Sequence, residues 1–81
     1  MKWQHTTRSK QDYNRASSSV KKAFDKRVQL LANNLLHPSL HAKKYDETAD
    51  VWQARVNRSW QFYFKIDRDT YLITRIVPHP K

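Results

Sequence analysis

Apolar and polar side chains alternate along two neighbouring segments, 51–56 and 60–66, which are separated by the polar stretch 57–59. Both segments are rich in aromatic and β-branched residues, a composition typical of β-strands. Successive side chains of a strand point to opposite faces of a sheet, so a three-residue loop makes one face apolar. The predicted pairs on that face are Val56 with Trp60, Ala54 with Phe62 and Trp52 with Phe64. The opposite face carries Gln53, Arg55, Gln61, Tyr63 and Lys65.

An apolar stripe with helical spacing precedes this hairpin. Its members recur at steps of three or four residues, which is the period of one helix face. They are Val20, Phe24, Val28, Leu31 and Leu35. A serine among residues 17–19 can cap the helix by accepting backbone N–H bonds. We expect His37-Pro38 to end it, because the residue before a proline disfavours helical geometry.

Shorter patterns lie on either side of these elements. Residues 2–7 predict an edge strand, and residues 9–16 predict a brief helix capped by Ser9. Residues 70–77 are again rich in β-branched residues and predict a further strand. The proline-containing segment 78–80 ends that strand.

The segment 39–50 has no sustained period and predicts an irregular arm leading into the hairpin. The whole order predicts an α+β fold in which two N-terminal helices pack on one face of a small antiparallel sheet of three to four strands. The 81 residues form one domain, 1–81, because two smaller units would each lack enough interior to fold alone.

The net charge of +9 is large for so short a chain. A concentrated positive field attracts polyanions, so nucleic acid is the first partner class to consider. An acidic protein partner would satisfy the same charge. The chain contains no glycine, which excludes Gly-rich phosphate loops and dinucleotide-binding fingerprints.

The chain has no cysteine, so the core is stabilised by packing rather than by disulfides or a cysteine-bound metal. His37 and His41 are four residues apart, a spacing that can bind a metal on a helix. Pro38 lies between them and no third ligand is evident, so we predict no metal and no cofactor. No apolar run approaches the ~20 residues of a membrane span, and residues 1–5 lack the apolar centre of a signal peptide. We therefore expect a cytoplasmic protein without membrane association.

Three motifs together resemble the RelE/ParE superfamily of bacterial toxins. They are HPSLHAKKY at 37–45, VWQARVNR at 51–58 and TYLI at 70–73. In that superfamily a similar arm precedes a strand of the type WEARV, an aromatic-rich strand and a last strand that ends near a histidine. The resemblance covers roughly residues 10–79.

The resemblance implies the toxin of a type II toxin–antitoxin pair, neutralised by an antitoxin protein. RelE-like members cut messenger RNA, commonly on the ribosome, which makes a metal-independent endoribonuclease acting on ribosome-associated mRNA the favoured function. ParE-like members poison DNA gyrase instead. The alternative is therefore a binding protein without nuclease activity, either a gyrase inhibitor or a decayed toxin that retains affinity for RNA or antitoxin.

The resemblance also indicates site residues. Arg55 matches a basic position on the first hairpin strand, His79 falls near a basic or histidine position after the last strand, and Lys44 matches a basic position in the arm. Gln61 stands where many nuclease members have an arginine, and its lack of charge motivates the non-nuclease alternative. Turn glycines of the superfamily are absent here.

Cleavage of RNA by its own 2′-hydroxyl needs a proton acceptor, a proton donor and cations around the phosphate. Arginine binds phosphate oxygens with two parallel bonds, and histidine exchanges protons near neutral pH. A strand tyrosine can stack on a base or donate a proton. The candidate catalytic residues are Arg55, His79 and Tyr63. The candidate RNA-binding residues are Lys43, Lys44, Arg58, Gln61, Lys65 and Arg75.

Overall fold

The computed structural model describes residues 1–79, within which a pair of helices packs against a five-stranded sheet. The strands are β1 (Lys2–His5), β2 (Lys43–Asp46), β3 (Val51–Arg55), β4 (Trp60–Asp67) and β5 (Thr70–Pro78). The helices are α1 (Thr7–Arg15) and α2 (Ser18–Asn33), and a short 3₁₀ turn spans Pro38–Leu40. Residue 80, in the segment predicted to end the last strand, lies outside the described residues, as does residue 81.

The sheet has the order β1-β5-β4-β3-β2. β1 runs parallel to β5, and the other neighbours are antiparallel. The α+β prediction is confirmed, but the sheet is mixed and has more strands than the three to four predicted. The prediction of a wholly irregular arm is wrong, because residues 43–46 form edge strand β2. An edge strand with mostly polar side chains buries no face, so it lacks the apolar alternation that marks β3 and β4.

The hairpin register predicted from the alternation is confirmed. The observed pairs are Trp52 with Phe64, Gln53 with Tyr63, Ala54 with Phe62 and Arg55 with Gln61. Beyond them the Val56 N–H donates to the Trp60 carbonyl at 2.9 Å. The Asn57 side-chain oxygen closes the loop by accepting the N–H groups of Ser59 at 2.8 Å and Trp60 at 2.9 Å. Asparagine favours such turns because its side chain can bond the backbone two residues on.

One extra residue in β5 changes which side chains reach the core. The register with β4 shifts between Tyr63 and Phe64, which leaves Thr74 as a bulge. A bulge reverses the alternation beyond it. Ile73 and Ile76 are therefore both buried although they lie three residues apart.

The core lies between α2 and the apolar face of the sheet. Phe24 of α2 meets Phe62 of β4 edge to face, with ring centroids 5.3 Å apart. The buried apolar residues are Val20, Phe24, Val28, Leu31, Leu40, Ala54, Val56, Phe62, Phe64, Tyr71, Ile73 and Ile76. Trp52 and Trp60 are partly buried and pack against this cluster. Among the residues that the structure describes, no helix is both long enough and apolar enough to cross a membrane.

The helix limits differ from those predicted. α1 begins two residues earlier than expected and is capped by Thr6, while Ser9 is fully buried in the reciprocal position of the capping box. Ser17 caps α2, as one of the three serines was predicted to do. α2 ends at Asn33 rather than at His37-Pro38, because Asn34 takes an extended conformation with φ −161°. Leu35 therefore lies beyond the helix.

Candidate functional site

A cleft of about 340 Å³ opens on the polar face of the β3–β4 hairpin. Its walls come from the segment entering β2, from β3 and β4, and from the segment that follows β5. The residues that line it, hereafter the cleft, are His41, Ala42, Lys43, Gln53, Ala54, Arg55, Gln61 and His79.

Strand pairing determines which polar side chains lie on the cleft side of the sheet. Arg55 lies directly opposite Gln61 across the hairpin, and Lys43 lies opposite Gln53 across the β2–β3 pair. Side chains that face each other across neighbouring strands share one side of the sheet. An exposed cation from β2 and another from β3 are thus brought to the same cleft.

The backbone after β5 is held against the hairpin loop, which positions His79. The His79 N–H donates to the Ser59 carbonyl at 2.6 Å. Just before it, Val77 pairs with Gln61. The exposed His79 side chain therefore lies at the end of the cleft that carries Arg55.

His41 enters the cleft through an unusual backbone conformation. Its φ of 47° is in the left-handed region, which residues other than glycine adopt infrequently. This conformation ends the 3₁₀ turn, and the His41 N–H donates to the Pro38 carbonyl at 3.3 Å. The chain then turns into β2, and the exposed His41 lines the cleft.

His37 has a different role from His41. The His37 Nδ1 accepts the Ser39 N–H at 3.2 Å and so caps the 3₁₀ turn. Within residues 1–79, no group of three or more histidine, cysteine or acidic side chains is arranged to bind a metal.

Two tyrosines and a glutamine form the polar layer beside the cleft. Gln61 is only 4% exposed, and its Nε2 donates to the Tyr63 hydroxyl at 2.7 Å. The ring of Tyr45 lies 4.8 Å from that of Tyr63. Burial, together with the adjacent Tyr45, raises the pKa of Tyr63, although the Gln61 bond and the charge of Arg75 act against that shift. Tyr63 therefore keeps its proton at neutral pH and can serve as a donor.

Arg75 lies across from Tyr63 on β5, and its charge is already paired. Its Nε donates to Asp12 Oδ2 of α1 at 2.8 Å. The same oxygen accepts the Ile76 N–H at 2.9 Å. Burial acts to raise the pKa of Asp12, but the bonds from Arg75 and Ile76 and the positive charges of Arg75 and Arg8 outweigh it and lower that pKa.

The remaining predicted cations lie outside the cleft lining. Lys44 is opposite Trp52 and so lies on the helix side of the sheet. Its ammonium is 4.9 Å from the centre of the Trp52 ring and forms an ion pair with Asp50. Arg58 is exposed in the hairpin loop, and Lys65 is exposed on β4.

Of the predicted site residues, the structure brings Arg55, His79, Lys43 and Gln61 together in the cleft, with Tyr63 bonded to Gln61. His41 was not predicted to line the cleft, since from the sequence it was considered only as a metal ligand. No helical or strand period marks His41, because its position depends on the 3₁₀ turn and on a left-handed φ.

Comparison with known proteins identifies the fold. No family model and no curated protein sequence matches the chain. Among solved structures, the YoeB/ParE toxin from Agrobacterium tumefaciens matches with a TM-score of 0.81 over 99% of this chain and 100% of that chain, at 13% identity. The toxin–antitoxin complex RelBE2 from Mycobacterium tuberculosis matches with a TM-score of 0.79 over 96% of each chain, at 20% identity. The chain has the RelE/ParE toxin fold.

A third solved structure also matches the fold of this chain. The RelB–RelE antitoxin–toxin complex from Methanococcus jannaschii gives a TM-score of 0.74 over 91% of this chain and 87% of that chain, at 16% identity. The RelE/ParE fold predicted from the three sequence motifs is thus confirmed at the level of the backbone. The identities are low, so these matches show the fold and not the chemistry of the cleft.

Proposed function

We propose that this protein is the cytoplasmic toxin of a type II toxin–antitoxin pair and a metal-independent endoribonuclease that cuts ribosome-bound messenger RNA. One observation carries the proposal: Arg55 shares a cleft with His41 and His79. A cation and two proton-exchanging groups are what cleavage by the RNA 2′-hydroxyl requires. The RelE/ParE fold supports the same function.

His41 and His79 each carry out one of the two proton transfers. One of them, unprotonated, takes the proton of the 2′-hydroxyl as its oxygen attacks the adjacent phosphorus. The other, protonated, gives a proton to the 5′ oxygen as the P–O bond breaks. The products are a 2′,3′-cyclic phosphate and a free 5′-hydroxyl, and the histidines exchange protonation states. Histidine suits both roles because an imidazole can accept a proton at a ring nitrogen or donate one from it.

Arg55 stabilises the charge that develops on the phosphate oxygens during this reaction. Its guanidinium stays protonated and donates two parallel N–H bonds, which match two phosphate oxygens. Lys43 binds the neighbouring backbone phosphate as a point charge. Tyr63, kept protonated by burial and by the adjacent Tyr45, donates a hydrogen bond or stacks on a base.

The other predicted cations act further from the scissile bond. Arg58 and Lys65 are exposed on the hairpin and can contact phosphates on either side of the cleft. Lys44 and Arg75 are held in ion pairs with Asp50 and Asp12. We assign these two a contribution to the long-range field that attracts RNA.

The test is cleavage of a defined message by the purified protein with translating ribosomes. Arg55→Ala is expected to lower the rate of cutting by about 10²-fold to 10³-fold, the usual loss when a group that stabilises developing charge is removed. Arg15→Ala is the matched control, since Arg15 is an exposed arginine at the end of α1. Equal rates for wild type and Arg55→Ala, or no cutting by the wild type, contradict the nuclease proposal.

The proposal also includes an antitoxin protein as the partner. Two of the three solved structures compared above are antitoxin–toxin complexes, and the net charge of +9 suits an acidic partner. Induced expression of this chain is expected to arrest growth. Co-expression with the product of the adjacent open reading frame should restore it, and growth arrest that persists with that product counts against the pairing.

A non-nuclease binding protein is the alternative, and Gln61 favours it. This neutral side chain is buried in the cleft wall and bonded to Tyr63, so it adds no charge there. Inhibition of DNA supercoiling by gyrase would identify a ParE-like inhibitor. Cutting that appears only in Gln61→Arg would identify a decayed nuclease.

A further inference from the structure

Arg27 of α2 joins two segments of the chain that are distant in sequence. Its Nε donates to the Val56 carbonyl at 3.1 Å, and its Nη1 donates to the Ser39 carbonyl at 3.2 Å. Arg27 is only partly exposed and does not line the cleft. Its guanidinium therefore belongs to the supporting structure rather than to the cleft itself.

The two carbonyls that Arg27 binds lie next to the two walls of the cleft. Val56 directly follows Arg55, and Ser39 lies two residues before His41. A guanidinium is planar, and its N–H groups form a rigid fork. Both acceptors are therefore held at a fixed separation by one group, which a flexible lysine ammonium cannot reproduce.

We infer that Arg27 is a positioning residue that sets the distance between His41 and Arg55 across the cleft. The inference rests on the proposed function for its catalytic consequence. Its structural consequence is that residues 39–41, the first part of the arm, are held in a fixed position. This consequence does not depend on that function. Leu40 is fully buried in the core, so the arm stays attached when Arg27 is replaced and loses its fixed position rather than its fold.

The first test measures amide hydrogen exchange of the arm. The Leu40 N–H is bonded to the His37 carbonyl at 3.0 Å, and the His41 N–H to the Pro38 carbonyl. In Arg27→Met, which keeps the aliphatic contacts, and in Arg27→Lys, which keeps the charge, both amides should exchange about fivefold to tenfold faster. Lys26→Met is the matched control, since Lys26 is exposed on the same helix.

The second test separates positioning from binding in the cutting assay. Both Arg27 variants should lower kcat by on the order of 10²-fold, the cost of a misplacement of about 1 Å, while KM changes far less. Arg27→Lys provides a second variant in case Arg27→Met does not fold. Circular dichroism must show native helix content for each variant that is assayed. Lys26→Met should keep the wild-type kcat.

The outcomes distinguish the two proposals. Wild-type exchange at Leu40 and His41 in both folded Arg27 variants overturns the inference. Faster exchange with unchanged kcat also overturns it, since Arg27 then stabilises the arm without positioning the reaction. If the wild type cuts no RNA, the nuclease proposal fails by itself. Amide exchange then tests Arg27 without the cutting assay, and wild-type exchange at Leu40 and His41 in both folded variants contradicts its role.

Discussion

Lys43 and Lys44 are consecutive in the sequence, but they lie on opposite sides of the sheet. Lys43 faces Gln53 and lines the cleft, whereas Lys44 faces Trp52 on the side of the helices. Lys44 also forms an ion pair with Asp50. Of the two lysines, only Lys43 is therefore placed to contact RNA bound in the cleft.

This difference predicts unequal effects of two otherwise similar substitutions. Lys43→Ala should make the salt dependence of single-stranded RNA binding shallower by about 0.7 in the slope of log K against log salt, the value for one lost phosphate contact. Lys44→Ala should change that slope much less. Fluorescence anisotropy with a labelled RNA at several salt concentrations measures both. Equal changes in the two variants would show that RNA does not follow the cleft.

How far the site could be predicted depends on how each residue is held. Arg55 and Gln61 were placed on the polar face because strand alternation and a short loop fix their register. The side of the sheet on which Lys44 lies could not be deduced, since no apolar alternation marks β2. His41 could not be assigned to the cleft either, because its left-handed φ of 47° follows a 3₁₀ turn without a periodic signal.

α1 covers the stretch of β5 that β1 leaves unpaired. β1 pairs with β5 from Thr70 to Ile73. Beyond that point, Thr6 donates its N–H to the Ile73 carbonyl at 3.0 Å, and Asp12 accepts the Ile76 N–H. Unpaired backbone groups on an edge strand invite pairing with other chains, so these groups replace a neighbouring strand.

Asp12→Ala should therefore lower the free energy of unfolding by about 2 kcal/mol, the usual cost of removing a partner from charged hydrogen bonds. Asp12→Asn should cost less, because its side-chain oxygen can still accept the Ile76 N–H. The lowered pKa of Asp12 means that its stabilisation is present above its ordinary value of 3.8 and is lost as the pH falls below it.

Chemical denaturation at neutral pH measures these differences. Lys2→Ala is the control, because the Lys2–Asp69 pair is 3.9 Å long and its side chains are 80% and 69% exposed. Exposed ion pairs contribute little to stability. A loss for Asp12→Ala no larger than that for Lys2→Ala would mean that α1 docks without this carboxylate.

The helices and strands differ in how well the sequence predicts them. α2, β3, β4 and β5 have strong periods because each buries one face. β1 was predicted as an edge strand, but its parallel direction follows from the path of the chain through both helices. The end of α2 was misplaced because the extended conformation of Asn34 stops the helix before Pro38 does.

The pH dependence of the stability of the folded protein should depend on a histidine enclosed by aromatic rings. The His5 ring lies 5.2 Å from Trp3 and 5.6 Å from Phe24, measured between centroids. Its Nδ1 is hydrogen-bonded to Ser9 Oγ at 2.8 Å. Burial, helped by the charge of Lys10, lowers the pKa of His5 from 6.5, and Asp25 acts in the opposite direction.

A lowered folded-state pKa means that the unfolded chain binds a proton at His5 more readily than the folded protein does. The free energy of unfolding should therefore fall as the pH drops below 6.5 and stop falling, as far as His5 is concerned, below its folded pKa. Urea unfolding at about pH 7.5 and about pH 5.5 measures this loss, since these values lie on either side of 6.5 and both lie above the range in which Asp12 titrates. His5→Gln should abolish most of the difference, while His41→Gln, which alters an exposed ring, should retain it. Equal pH dependence in wild type and His5→Gln would show that another group controls acid stability, because the aromatic cluster would then accept a charged imidazole without cost.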